Sequence, residues 1–216
     1  MFKVIPLQKN LKNICDRILK LRKFKVWYNY FMLKIITLPN PILRQKAKPV
    51  GKISSEIKKL VGEMIKILRP KPRKLTGVGL AAPQVGKSLR MIVVWSRHSR
   101  KFLPMINPKI IWHSKRTRVG VPESKKSLPD GRQAYEGCLS VPGVWGKVRR
   151  YSVVKIRYQN LAGTEITRKF RGFTGVVVQH EIDHLEGILF IDRIKEQKGE
   201  ILTINPKSKI QNSKKF

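Results

Sequence analysis

The sequence predicts a small α+β domain, with short strands packed around one deeply placed helix, and three observations carry that reading. One segment has the apolar spacing of an amphipathic helix, and a second is a mostly apolar helix. Four short runs rich in β-branched and aromatic residues lie between Gly, Pro and charged clusters, as strands do. No internal repeat is visible, and 216 residues suffice for one ordinary domain with tails.

Residues 1–31 read as a basic extension of net charge +7. Leu11, Ile14, Ile18 and Leu21 recur at three- and four-residue steps between Lys12, Arg17, Lys20 and Lys23, the pattern of a basic amphipathic helix. The extension lacks the apolar run of a secretory signal. It is nearly acid-free, as organellar transit peptides are, but has two Arg against six Lys and no Ser. The packed domain is expected from Met32 to residue 197, opening on an extended piece, Lys34-Ile-Ile-Thr-Leu-Pro-Asn-Pro, closed by prolines.

Ser54 is placed to cap a helix over 54–68, whose stripe is Ile57, Leu60, Val61, Met64, Ile65 and Leu68 and whose stop is Pro70. Strands are expected over 91–95, 108–112, 153–158 and 164–170, and a polar loop between Arg118 and Tyr135. A second helix over 173–186 ends at Gly187. Residues 198–216 read as a basic tail of net charge +4.

Composition excludes several classes. At 41% hydrophobic residues the chain buries a real core, so wholesale disorder is excluded. No run approaches the roughly 18 apolar residues that span a bilayer. Two distant cysteines, Cys15 and Cys138, make no disulfide framework and suit a reducing compartment. The formal charge is +34, of which +23 falls on residues 32–197. Such a field attracts polyanions, RNA foremost. Without an RGG run, RNA-binding aromatic motif or helix-turn-helix pattern, sequence-specific binding is not indicated, and a lysine-rich solvated surface is the plainer reading.

The richest segment is Gln179-His-Glu-Ile-Asp-His-Leu-Glu-Gly187. Four residues apart on a helix, His180 and His184 project from one face and can share a metal ion, with Glu181 beside them as a proton carrier. The alternative, two histidines on a solvated face, sits poorly with Val176-Val-Val just before them. The third ligand decides the class. The acids nearest the thermolysin-type position are Glu196 and Glu200, and Phe190 stands where a metzincin has its third His. Cys138, in the Gly-flanked turn Tyr135-Glu-Gly-Cys-Leu-Ser-Val-Pro-Gly143, is the remaining candidate. A buried apolar thiol and a nucleophilic Cys–His pair are the competing readings of that residue. In Gly77-Val-Gly-Leu-Ala-Ala-Pro-Gln84 the glycines, Gly79 among them, allow close backbone approach to a ligand, and Gln84 offers an amide N–H to an oxyanion.

Segments 77–84, 136–140 and 179–185 resemble, in that order, the three signature segments of the peptide deformylases, and the resemblance runs from Met32 to Arg193. It implies that family's α+β fold around a metal-binding helix, and removal of the formyl group from N-formylmethionine on newly synthesised polypeptides, releasing formate. By motif position, Cys138, His180 and His184 would hold the metal and Glu181 would carry the proton. Gln84 and the Leu139 N–H would meet the oxyanion, and Val78, Gly79, Phe173, Val176 and Val177 would line the methionine pocket. The family's usual native ion is Fe²⁺. Cys-His₂ ligation also suits Zn²⁺, Ni²⁺ and Co²⁺, so the sequence does not choose.

The resemblance further implies a monomer without a membrane segment, of bacterial cytoplasmic type, or organellar if residues 1–31 are a transit peptide. Because the family commonly begins near Met32, translation starting there is the favoured reading of the extension. The tail and the basic surface are candidate contacts to ribosomal RNA, and a frayed polar terminus with no partner is the competing reading of the tail. Two departures stand out: Thr174-Gly175 at the entry of the metal helix, expected to weaken it, and a longer loop over 123–134.

Overall fold

The apolar runs become strands because each is laid against the same buried helix. The computed structural model describes residues 33–69, 76–120, 135–203 and 211–215. In chain order its first elements are α1 (Ser55–Leu68), β1 (Gly79–Ala81), β2 (Met91–Ser96), β3 (Lys101–His113), β4 (Thr117–Val119) and β5 (Glu136–Cys138). There follow β6 (Val141–Gly146), β7 (Arg149–Tyr151), β8 (Val153–Gln159), β9 (Glu165–Arg171), α2 (Gly172–Leu185), α3 (Phe190–Glu196), β10 (Glu200–Thr203) and β11 (Gln211–Lys215). Two 3₁₀ turns, Pro41–Arg44 and Ala82–Val85, complete the described elements.

Antiparallel pairing builds a five-stranded sheet of order β1-β2-β3-β8-β9, a four-stranded sheet of order β11-β10-β6-β5, and the pair β4-β7. The larger sheet carries Ile92, Val94, Met105, Val154, Ile156 and Phe170 against Val177, Val178, Ile182 and Leu185 of α2. A second cluster gathers Val141, Val148, Leu189, Phe190 and Ile194, with Cys138 and Ile201 packed on it. All of α2 from Gly175 to Leu185 is buried, so it is a core helix, whereas α1 buries only Leu60, Val61, Met64 and Leu68.

The helices lie within one residue of their expected bounds. Ser54 occupies the N-cap of α1 in extended backbone, but its side chain makes no capping bond. The strand expected over 108–112 is the end of the longer β3, hidden by two prolines. Pro104 faces Val93 where β3 has no β8 partner, and Pro108 falls within a register shift, so neither interrupts a ladder it must donate to.

Three expectations about organisation need comment. The basic tail from residue 198 begins inside the packed unit. Glu200–Thr203 pairs with β6, and Gln211–Lys215 extends the same sheet, because Ile201 has an apolar cluster to join. At Gly175 a side-chain carbon would lie 3.2 Å from the Phe170 carbonyl, so glycine there lets the entry of α2 approach β9 closely. Residues 1–31 and the loop over 123–134 lie outside the described residues.

Deleting residues 200–216 is therefore expected to lower stability by about 2–4 kcal/mol, through lost burial of Ile201 and its neighbours and an opened β6 edge. A thermal melt of the shortened chain that matches full length would show that β10 contributes nothing to the fold.

Candidate metal centre

Because α2 is buried on every side, the polar residues of its motif face protein rather than water. His180 and His184 stand one turn apart with ring centroids 5.1 Å from each other. The β5–β6 hairpin, with a register shift between Gly137 and Cys138, brings Cys138 opposite them. Its Sγ lies 3.2 Å from His184 Nε2, and the ligand atoms of Cys138, His180 and His184 all fall within 4.8 Å of one another. Among the described residues this is the one such cluster of three or more.

A charged residue that the sequence does not single out, backed by an arginine, holds His180 in place. His180 Nδ1 donates to Glu136 Oε2 at 3.0 Å, which leaves Nε2 for the centre. Arg150 grips Glu136 with two bonds of 3.0 and 2.9 Å and also reaches Asp183, which Arg193 contacts at 2.7 Å. Burial alone would raise the Glu136 pKa, but the Arg150 charge and the His180 bond outweigh it and hold the carboxylate at about 2. Gln179 is spent on structure, bonding the Tyr151 N–H and C=O at 3.0 Å each. Asp183 could have been suspected from its place inside the motif; nothing in the sequence singled out Arg150, since its neighbour Arg149 is exposed.

Glu181 differs in kind. Burial pushes its carboxyl up to about 7 and outweighs the opposing charges of His180 and Arg150. Its Oε2 and the Nδ1 of His184 are buried without a hydrogen-bond partner. Two orphaned polar atoms beside a thiol and two imidazoles fit a site made to take a metal ion and a polar substrate.

The remaining predicted residues gather here in part. Gln84 accepts the Ala81 N–H at 2.8 Å and turns its amide toward Cys138 Sγ at 3.4 Å and Ser140 Oγ at 3.2 Å. Leu139 occupies the turn between β5 and β6. The strap before α1 ties both segments down, Ile36 N–H bonding Gln84 O at 2.8 Å and Leu38 N–H bonding Ser140 O at 3.0 Å. Val78, Phe173 and Val177 share the cluster that runs up to the site, whereas Val176 is buried outside it. At Gly79 an added side-chain carbon would stand 2.2 Å from Glu181 Oε1, so glycine lets the β1 backbone lie against the Glu181 carboxyl.

This geometry has close counterparts. The polypeptide deformylase family model matches residues 32–200. The chain belongs to the peptide deformylase family. It is 41% identical over 162 residues to the peptide deformylase of Desulforudis audaxviator, covering 75% of this chain and 93% of that one. It is also 41% identical over 163 residues to that of Halothermothrix orenii, covering 76% and 94%. The crystal structure of the deformylase from Thermotoga maritima superposes with a TM-score of 0.64 at 36% identity, covering 75% of this chain and 97% of that one. No helix among the described residues of this deformylase is long and apolar enough to cross a membrane.

Two variants test the supporting structure. Arg150→Met should cost about 3–5 kcal/mol in a thermal or denaturant melt, because Glu136 and Asp183 stay buried without their countercharge. In the unaltered chain Glu136 contributes stability that is full above its ordinary pKa of 4.5 and is lost as pH falls toward about 2, so acid titration of the melt should steepen in that window. Gly79→Ala should keep fold and metal content but lower turnover by about tenfold or more, since Glu181 must move; unchanged turnover would mean the contact is slack.

Proposed function

We propose that Cys138, His180 and His184 hold one divalent metal ion and that Glu181 moves the proton while this deformylase hydrolyses the formyl amide of N-formylmethionyl peptides. The observation that carries the reading is the convergence of those three ligand atoms within 4.8 Å beside the buried Glu181 carboxyl, whose Oε2 has no partner. A bound ion would supply Lewis acidity toward the formyl oxygen. Glu181, with its pKa near 7, takes a proton from the attacking water as the oxygen adds to the formyl carbon. It returns that proton to the amine as the C–N bond breaks, leaving formate and a free N-terminus. Charge gathers on the former carbonyl oxygen, where the Gln84 amide and the Leu139 N–H are the proposed donors. Val78, Phe173 and Val177 offer apolar surface to the methionine side chain, with Val176 behind them.

Fe²⁺ is the proposed resident ion, and Zn²⁺, Ni²⁺ and Co²⁺ suit the same donors. The proposed setting is a monomer in a bacterial-type cytoplasm acting on nascent chains, with the basic surface and C-terminal residues as contacts to ribosomal RNA. The catalytic unit is proposed to start at Met32. An endopeptidase reading is disfavoured, since Glu196 pairs with Arg193 and Glu200 with Lys147.

Formate release from a formyl-Met tripeptide, abolished by a chelator and restored by metal, is the direct test. Glu181→Gln should retain metal and lose activity by at least about a hundredfold, because an amide cannot accept the proton. Cys138→Ser should lower metal content, measured on anaerobically purified protein, since a hydroxyl is a poor soft-metal ligand. Unchanged metal content and turnover in Cys138→Ser would remove that residue from the ligand set.

A further inference from the structure

Past Phe173, the residue proposed to edge the methionine pocket, the end of β9 opens on a cleft of about 980 Å³. Among the described residues six cationic side chains line it, Arg97, Arg116, Arg118, Arg168, Lys169 and Arg171, and no carboxylate does. A uniformly basic surface does not explain this composition. In the whole chain lysine outnumbers arginine by 30 to 17, yet five of these six are arginine. Arginine's planar fork pairs with phosphate in a way that lysine's point charge does not. Edge protection of β9, the outer strand of its sheet, would account for Lys169 and Arg171. It gives no reason for Arg116 and Arg118 to converge from β4, or Arg97 from beyond β2.

A second, aromatic groove at the end of β3, lined by Trp112 and His113, lies beside the cleft. Trp112 is 50% exposed and lies level with Lys155 on β8, which in turn lies level with Lys169 on β9. The Lys169 ammonium stands 5.9 Å from the Trp112 ring. His113 and Tyr151 stack with centroids 3.6 Å apart, and Tyr151 is 37% exposed beside Ser152 of the cleft wall. Large exposed aromatics next to a cationic groove are what unpaired bases require, and a closed duplex has no use for them.

We propose that this cleft binds single-stranded RNA, with its arginines on phosphates and Trp112 against a base. Binding is read independently of deformylation, so failure here leaves the proposed function untouched, and the reverse holds too. The probe is a fluorescein-labelled twelve-nucleotide oligouridylate, titrated with the full chain by anisotropy at several salt concentrations. The triple variant Arg116→Gln, Arg118→Gln, Lys169→Gln should weaken binding at least about tenfold and reduce the slope of log K against log salt by about 2, at about 0.7 per phosphate contact on a single strand. Trp112→Ala should weaken binding about fivefold or more with the slope unchanged. A control that removes three exposed lysines of α1, Lys58→Gln, Lys59→Gln, Lys66→Gln, should change affinity less than about twofold. Unaltered melts and formate release in every variant establish that each is folded. An equal loss in the α1 control would overturn the proposal by showing a diffuse charge effect. Displacement of the RNA by an oligoglutamate of the same charge at equal concentration would also overturn it, by making the cleft a site for acidic peptides.

Discussion

Five of the eleven consecutive buried residues in α2 are polar: Gln179, His180, Glu181, Asp183 and His184. Burying such groups unpaired costs several kcal/mol each, so the surrounding structure has to answer them one by one. Gln179 is answered by the Tyr151 backbone, His180 by Glu136, and Asp183 by Arg150 and Arg193. The answers come from β5, β7 and α3. The register of the β5–β6 hairpin, the position of β7 and the packing of α3 all follow from that requirement. What is left over at the proposed site of chemistry is one oxygen of Glu181.

The strap before α1 shows the same economy at the backbone level. Ile36 and Leu38 spend their N–H groups on Gln84 and Ser140, which belong to segments more than fifty residues apart. The segments carrying Gln84 and Cys138 are thereby set against one another by main-chain bonds. Loop fluctuation is restricted where a displacement of 1 Å would matter most.

Legibility in the sequence followed the range of the interactions concerned. The histidines and Glu181 could be read because helical spacing is local, and Cys138 because the two peptidase alternatives lacked a third ligand and the family resemblance placed it. The arginines could not be read. Arg150 and Arg149 are chemically identical neighbours, and only the fold decides that one is buried against Glu136 while the other is exposed. β3 was read short because Pro104 and Pro108 look like breakers until the missing partner strand and the register shift are known. β10 was taken for a tail because four residues carry no periodicity, and Ile201 means little without the cluster it completes.

The two sides of the metal centre belong to different hydrophobic clusters. His180 and His184 ride on the helix that packs on the five-stranded sheet, while Cys138 packs with Val141, Leu189 and Phe190 under the other sheet. The centre is thus a rivet through a seam. A ligand that engages all three side chains in the native state alone adds its binding free energy to the adhesion of the two halves. Occupancy and mechanical integrity become one quantity, and slippage along the seam would register first as a change in affinity for the ion.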